Sequence, residues 1–168
     1  GVTNGAFYNH FSDKEALFCA LVDPVVGDIK RMYEQSVQQH TELMNPDDLK
    51  SVWQMSESTI ILIIEYIYDH FELFRLLLMC SEGTKYAGFL DSVVCLEVNE
   101  TLKFFNEFKS RGIKINDLDD NEWHMLIHSY YSSLAEIILH NYPKQSALKY
   151  ARTISKFFSS GWKEVLGI

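Results

Sequence analysis

An all-α fold is predicted by three observations. Apolar residues recur at the 3.6-residue period of a helix in almost every segment longer than ten residues. Proline and glycine are scarce, three and eight in 168 residues, and most sit between the periodic segments. No segment alternates apolar and polar residues in the way a half-buried strand requires.

The elements follow in order. Asn4 to about His10 reads as a very short helix with Thr3 as its N-cap. Ser12 and Glu15 have the spacing of a capping box and open a second helix. Its apolar positions Ala16, Leu17, Ala20 and Leu21 share one face, and it is expected to run through Pro24 to about Leu43. Asn45-Pro46-Asp47-Asp48 stops that helix and starts another, along which Leu49, Val52, Trp53, Ser56, Thr59, Ile60, Ile63 and Ile67 form a stripe. Its Ile60–Ile64 stretch is apolar all round and predicts a helix covered on several sides. After a break near His70 comes a stub of helix to Met79, then a turn at Ser81-Glu82-Gly83-Thr84. A long helix is expected from about Lys85 to Ser110, stopped by Gly112. The last two span roughly Leu118 to His140, with Asp119 and Asp120 favouring its N-terminus, and about Lys144 to Leu166.

Composition narrows the class. No run reaches the 18 or so apolar residues of a membrane span, since Glu65 and Asp69 interrupt the most apolar one. No signal pattern opens the chain. A cytoplasmic protein with no membrane partner is therefore expected. Cys19, Cys80 and Cys95 are odd in number and widely spaced, which fits neither a disulfide framework nor a zinc site. They read as small core residues, with a redox-sensing thiol as the other reading. The net charge of −8 repels phosphate, so any contact with nucleic acid must come from a local surface.

One such surface is offered by Gly1-Val2-Thr3-Asn4-Gly5-Ala6-Phe7-Tyr8-Asn9-His10-Phe11-Ser12-Asp13-Lys14-Glu15. A glycine turn delivers a hydroxyl-capped stub of helix, with small residues on one side and donors around it. This string resembles the end of the DNA-binding domain of the TetR/AcrR family of transcriptional regulators: turn, recognition helix, start of the following helix. Gly1, Thr3, Gly5, Phe7, Tyr8, His10, Phe11, Lys14 and Glu15 match the family pattern. The close resemblance covers about 22 residues; beyond them only the succession of helices is similar.

The resemblance implies a TetR-like fold, with residues 1–22 as the C-terminal part of a helix-turn-helix and 23–168 as a ligand-binding and dimerisation domain. It implies that Thr3, Asn4 and Ala6 face base edges of double-stranded operator DNA, Asn4 suiting a bidentate contact to adenine. Gly5 would permit close approach, Tyr8, His10 and Lys14 would hold phosphates, and Asn9 could do either. Phe7 and Phe11 would be core. The family's first two helices would precede Gly1, and Lys14 is the sole Lys or Arg before Lys30. The chain alone is thus expected to bind operator poorly. Ligand-responsive repression is the implied function. The alternative is a helical dimeric interaction or sensor protein without DNA binding, which the acidic charge would suit.

In the body, large apolar residues mixed with a few polar ones have the composition of a pocket for a small-molecule effector. The candidates are Trp53, Ser56, Ile60, Ile63, Phe74, Phe89, Val93, Glu97, His128 and Tyr131, with Leu77, Tyr86 and His124 beside them. For any single aromatic, plain core is the competing reading. Glu65, Glu97 and His128 are the polar groups whose burial would decide, and the 14% aromatic content suggests a flat or aromatic ligand. His124 and His128 stand four residues apart, but no obvious further ligands complete a metal set, and they read as packing histidines. No cofactor is implied. A broad apolar band on each of the last two helices suggests a homodimer through Trp123, Tyr130, Ala147, Ala151, Ile154, Phe158 and Trp162, as the resemblance also implies. Nucleophile elbows, zinc-protease motifs and phosphate or dinucleotide loops are missing, which argues against an enzyme.

Overall fold

The computed structural model describes the backbone of residues 11–42 and 49–168 and the side chains of residues 11–39 and 56–168. Among the described residues there are six helices and no strands: α1 (Lys14–Glu42), α2 (Leu49–Asp69), α3 (Phe71–Met79), α4 (Phe89–Ser110), α5 (Asp120–Leu139) and α6 (Lys144–Leu166). The chain is all-α, as its periodicity predicts. The expected short helix from Asn4 to His10 and the stop at Asn45–Asp48 lie outside the described residues. No described helix is long and apolar enough to cross a membrane.

Local chemistry accounts for most boundaries. α1 is capped by Asp13, not by Ser12 as expected: the Ala16 N–H donates to Asp13 Oδ1 at 2.7 Å, and the Ser12 hydroxyl donates to Asp13 Oδ2 at 3.1 Å. Both bonds favour the ionised side chain, the Ala16 amide most, and hold the Asp13 carboxyl below its ordinary range. Glu15 is thereby released from any capping box, and its carboxylate accepts from the Lys85 N–H at 2.9 Å. α1 then continues through Pro24. α5 carries a complete capping box, with Asp119 accepting from Asn121 and Glu122 while Glu122 accepts from the Asp119 N–H. α4 ends in a Schellman turn: Gly112, at φ 81°, donates to Lys109 and Ile113 donates to Phe108.

Helix α4 begins four residues later than expected. Gly83 and Gly88 adopt positive φ, and Thr84 Oγ1 takes the Tyr86 N–H, so residues 81–88 close as successive turns.

Side-chain packing forms two apolar centres. The larger gathers Phe18, Val22 and Val25 of α1, Ile60, Ile64 and Ile67 of α2, Phe74 and Leu77 of α3, Leu134, Ile137 and Ile138 of α5, and Ala147 and Ala151 of α6. The smaller joins Val94 and Phe105 of α4, Trp123 and Ile127 of α5, and Leu166 of α6. At nine residues α3 is too short to persist alone, and burial of Phe74 and Leu77 holds it. α6 lies along α2, and α4 along α5. The alanines at 147 and 151, both fully buried, let α6 approach closely.

Two further expectations are corrected. The Ile60–Ile64 stretch is not covered all round, because Leu62 is 56% exposed on the outer face of α2. The cysteines are not core residues: Cys80 and Cys95 are exposed and Cys19 is half-buried. Cys80 stands at the C-terminal end of α3, and Cys95 is on the outer face of α4 next to exposed Leu96. Helix α1 runs across residues 22 and 23, as the sequence predicts, and its Val22 and Val25 share one core.

Two glycine substitutions should act in opposite directions. Gly112→Ala forces an L-residue into the left-handed region and is expected to cost about 1 kcal/mol. Gly161→Ala, inside α6 with open space where its Cβ would stand, should stabilise by about 0.5–1 kcal/mol. Urea unfolding of both variants checks the signs.

Candidate functional site

Between the two apolar centres the helices leave a cavity of about 510 Å³, a size that admits a small organic molecule. It is bounded by α1, α2, α4, α5 and α6. Ile60 and Ile63 form one wall, and Phe104, Phe105, Trp123, Ile127, Phe158 and Trp162 form much of the rest. Three of these aromatics stack: Phe105 on Trp123 at 5.3 Å between centroids, and Trp123 on Trp162 at 5.4 Å. Two hydroxyl pairs bridge the surrounding helices, Ser36 with Thr59 at 3.1 Å and Tyr130 with Ser155 at 3.3 Å.

The decisive polar group is Glu97 of α4. Its carboxyl is enclosed by protein, and what surface it keeps lines the cavity. Removal from water raises its pKa above the usual carboxylate range, and the negative charge of Glu100 adds to the effect. Hydrogen bonds from the Tyr33 and Tyr131 hydroxyls oppose the shift without cancelling it. The same enclosure raises the tyrosines. Tyr131 and Tyr33 are pushed well above the ordinary phenol range, first by burial and then by the Glu97 charge. Tyr130 is pushed up to about 12 by burial. Three helices thus converge on one acid, through Tyr33 (α1), Glu97 (α4) and Tyr131 (α5).

Of the other charged groups of the cavity, Glu57 belongs to α2, and the four towards the C-terminal half of α4 form two ion pairs. Lys103 pairs with Glu100 at 2.6 Å and Arg111 with Glu107 at 2.9 Å.

Of the residues expected at a ligand pocket, Ser56, Ile60, Ile63, Glu97 and Tyr131 line this cavity. The side chain of Trp53 lies outside the described residues. Phe74 and Leu77 fill the larger core instead. Phe89 and Val93 miss the cavity because it extends from Glu97 towards the C-terminal end of α4, and they precede it. His128 is one position round from Ile127 on α5; its Nδ1 meets Ser132 Oγ at 3.2 Å and its Nε2 stands 3.9 Å from Asp91. His124 is exposed, Glu65 does not line the cavity, and Tyr86 donates instead to Asp23 at 2.7 Å. The α1 residues Tyr33, Ser36 and Val37 are the notable additions. Their spacing of three and four on an otherwise charged stretch is the signal that could have found them.

The residues expected at a dimer surface face inward. Trp123, Ala147 and Ala151 are buried within the single chain. Tyr130, Phe158 and Trp162 line the cavity, and half-buried Ile154 packs against the larger core. One amphipathic band cannot serve both sides of a helix at once, and here the intramolecular core takes it. Tyr150, Phe157 and Val165 instead carry the exposed apolar surface of α6, Phe157 at 74% exposure.

Near its start α1 is tied to the turns that precede α4. Lys85 Nζ stands 2.9 Å from Asp23, Tyr86 donates to the same carboxylate, and Glu15 accepts from the Lys85 amide. Lys14, the one described residue among those expected at DNA, is exposed at the first position of α1. Thr3, Asn4, Gly5, Ala6, Tyr8, Asn9 and His10 lie outside the described residues. No family model, curated protein or solved structure matches the chain.

A raised Glu97 pKa makes stability depend on pH with a definite sign. Above its ordinary value of 4.5 the unfolded chain loses this proton first, so the folded chain holds more protons and stability falls as pH rises. Glu97→Gln should remove that contribution: relative to the parent chain it should gain stability as pH rises above the ordinary carboxylate value. Denaturant unfolding of both chains across that range measures the difference.

Proposed function

We propose that the protein is a ligand-responsive transcription regulator of the TetR type, in which occupation of the cavity alters the placement of a DNA-binding N-terminal segment. The observation that carries this reading is the course of α1. It begins at Lys14, immediately after the segment that resembles a recognition helix, and about 28 Å further along presents Tyr33 to the cavity acid. A single helix therefore connects the two places where an effector and DNA would bind. Its first turns are held to residues 81–88 through Glu15 and Asp23, and its second half meets Glu97. A ligand that pushes α4 and α1 apart would swing the start of α1, to the extent that it binds one spacing better than the other.

The dimer belongs to this reading, since paired half-sites require two recognition helices. Tyr150, Phe157, Gly161 and Val165 follow one another at seven and four residues along the outer side of α6, and they are the surface through which a second copy would pair. Release of operator on ligand binding, and hence repression, is the sign proposed.

One observation favours a second reading, a helical dimeric sensor that does not touch DNA: the net charge is −8, and Lys14 is the lone cation of the first 29 residues. Selection of duplex DNA sequences by the full-length protein at several salt concentrations separates the two. A regulator enriches a two-fold symmetric site, and ligand lowers affinity for it; a sensor enriches none. Lys14→Ala should weaken binding to all sequences alike and reduce the salt slope by about 0.9 per chain.

A further inference from the structure

The charges around the cavity do not cancel. Six lining residues carry formal charge: Glu57, Glu97, Glu100, Lys103, Glu107 and Arg111. Glu100 is matched by Lys103, and Glu107 by Arg111. That leaves Glu57 and Glu97 without an ion pair among the described residues, and both act on the Tyr130 hydroxyl between them. The polar partners of Glu97 are the Tyr33 and Tyr131 hydroxyls, and the rings of Phe104, Phe105, Trp123 and Trp162 line the same cavity. A carboxyl without an ion pair in a cavity lined by aromatic rings is the arrangement that favours an organic cation, held by charge at one end and by ring quadrupoles along its body. An anionic ligand would meet Glu97 and Glu57 and find both cations already neutralised.

We propose that the occupant of the cavity is a monovalent organic cation with an aromatic body, its charged nitrogen beside Glu97, Tyr33 and Tyr131 and its rings against Phe105, Trp123 and Trp162. The inference rests on the proposal that this cavity is a ligand site, and deepens it by assigning the ligand's charge. Burial raises the Glu97 carboxyl above the usual range, so wherever it still holds its proton a bound cation would displace it, and affinity rises with pH. The groups that act on Glu97 are Tyr33 from α1, Glu100 on α4 itself and Tyr131 from α5; Glu57 from α2 lines the same cavity and, like Glu97, acts on Tyr130, and α6 contributes Ser155 and Ser159, which do not titrate. The tyrosines, raised above the phenol range, keep their protons wherever the carboxyl titrates.

The test is a matched pair of probes: (1-naphthylmethyl)trimethylammonium and its neutral isostere, in which carbon replaces the quaternary nitrogen. Binding to the full chain is followed by quenching of tryptophan fluorescence, because Trp123 and Trp162 line the site. The cation should bind at least tenfold more tightly than the isostere near neutral pH, and its affinity should climb as pH rises above the ordinary carboxylate value. Glu97→Gln should weaken the cation at least tenfold, abolish the climb and leave the isostere unchanged, with a cooperative melt confirming the fold. Glu57→Gln should weaken the cation by less. Equal affinity for the two probes, or a preference that survives Glu97→Gln, overturns the inference. If the isostere binds and the cation does not, the assignment of charge falls while the cavity stands as a ligand site; if neither binds, both fall.

Discussion

A carboxyl group in the interior is held only if something offsets the loss of water, and the body of this protein is arranged around that constraint. Glu97 receives two phenolic hydrogen bonds and has no basic partner among the described residues, so burial favours its protonated form. The cavity beside it is a consequence of the same arrangement. The apolar centres on either side close tightly, with Leu77, Val94 and Leu166 fully buried, yet they do not merge across the polar cluster. Aromatic side chains stacked along the wall keep the space open, because rings of fixed shape cannot collapse into it as aliphatic chains do.

This placement gives α1 two roles. Its first half contributes Phe18, Val22 and Val25 to the larger core, which fixes the helix to α2 and α3. Its second half turns Tyr33 and Ser36 towards the cavity, so in the proposed regulator a movement there would pass along a helix of 29 residues. The ties from Glu15 and Asp23 to residues 81–88 are exposed and individually weak. They set position more than stability, and weak ties are what a two-state coupling needs, since a rigid join would hold one spacing only. In the proposed regulator this coupling is the link between effector and operator.

Much of the architecture was legible in local chemistry. The 3.6-residue period identified every described helix; Gly112 marked the end of α4, and the last helix begins and ends at the expected residues 144 and 166. Where the sequence misled, two local signals competed. Ser12 and Asp13 are both good caps, and Asp13 prevails because it sits one residue closer to the helix. Residues 85–88 have helical neighbours, but Gly88 takes a positive φ that a helix cannot continue through.

The sequence by itself determined an all-α chain and its order of helices, and it offered Glu97 and Tyr131 among a longer set of pocket candidates. Each of those follows from residues a few positions apart, where helical geometry dictates which side chains are neighbours. Only the tertiary structure decided which face of each helix turned inward. It placed Trp123, Ala147 and Ala151 in the core of one chain rather than between two, and it brought Tyr33 to an acid 64 positions away in sequence. Helix rotation and crossing depend on how whole surfaces interlock, and no spacing within a single segment carries that information.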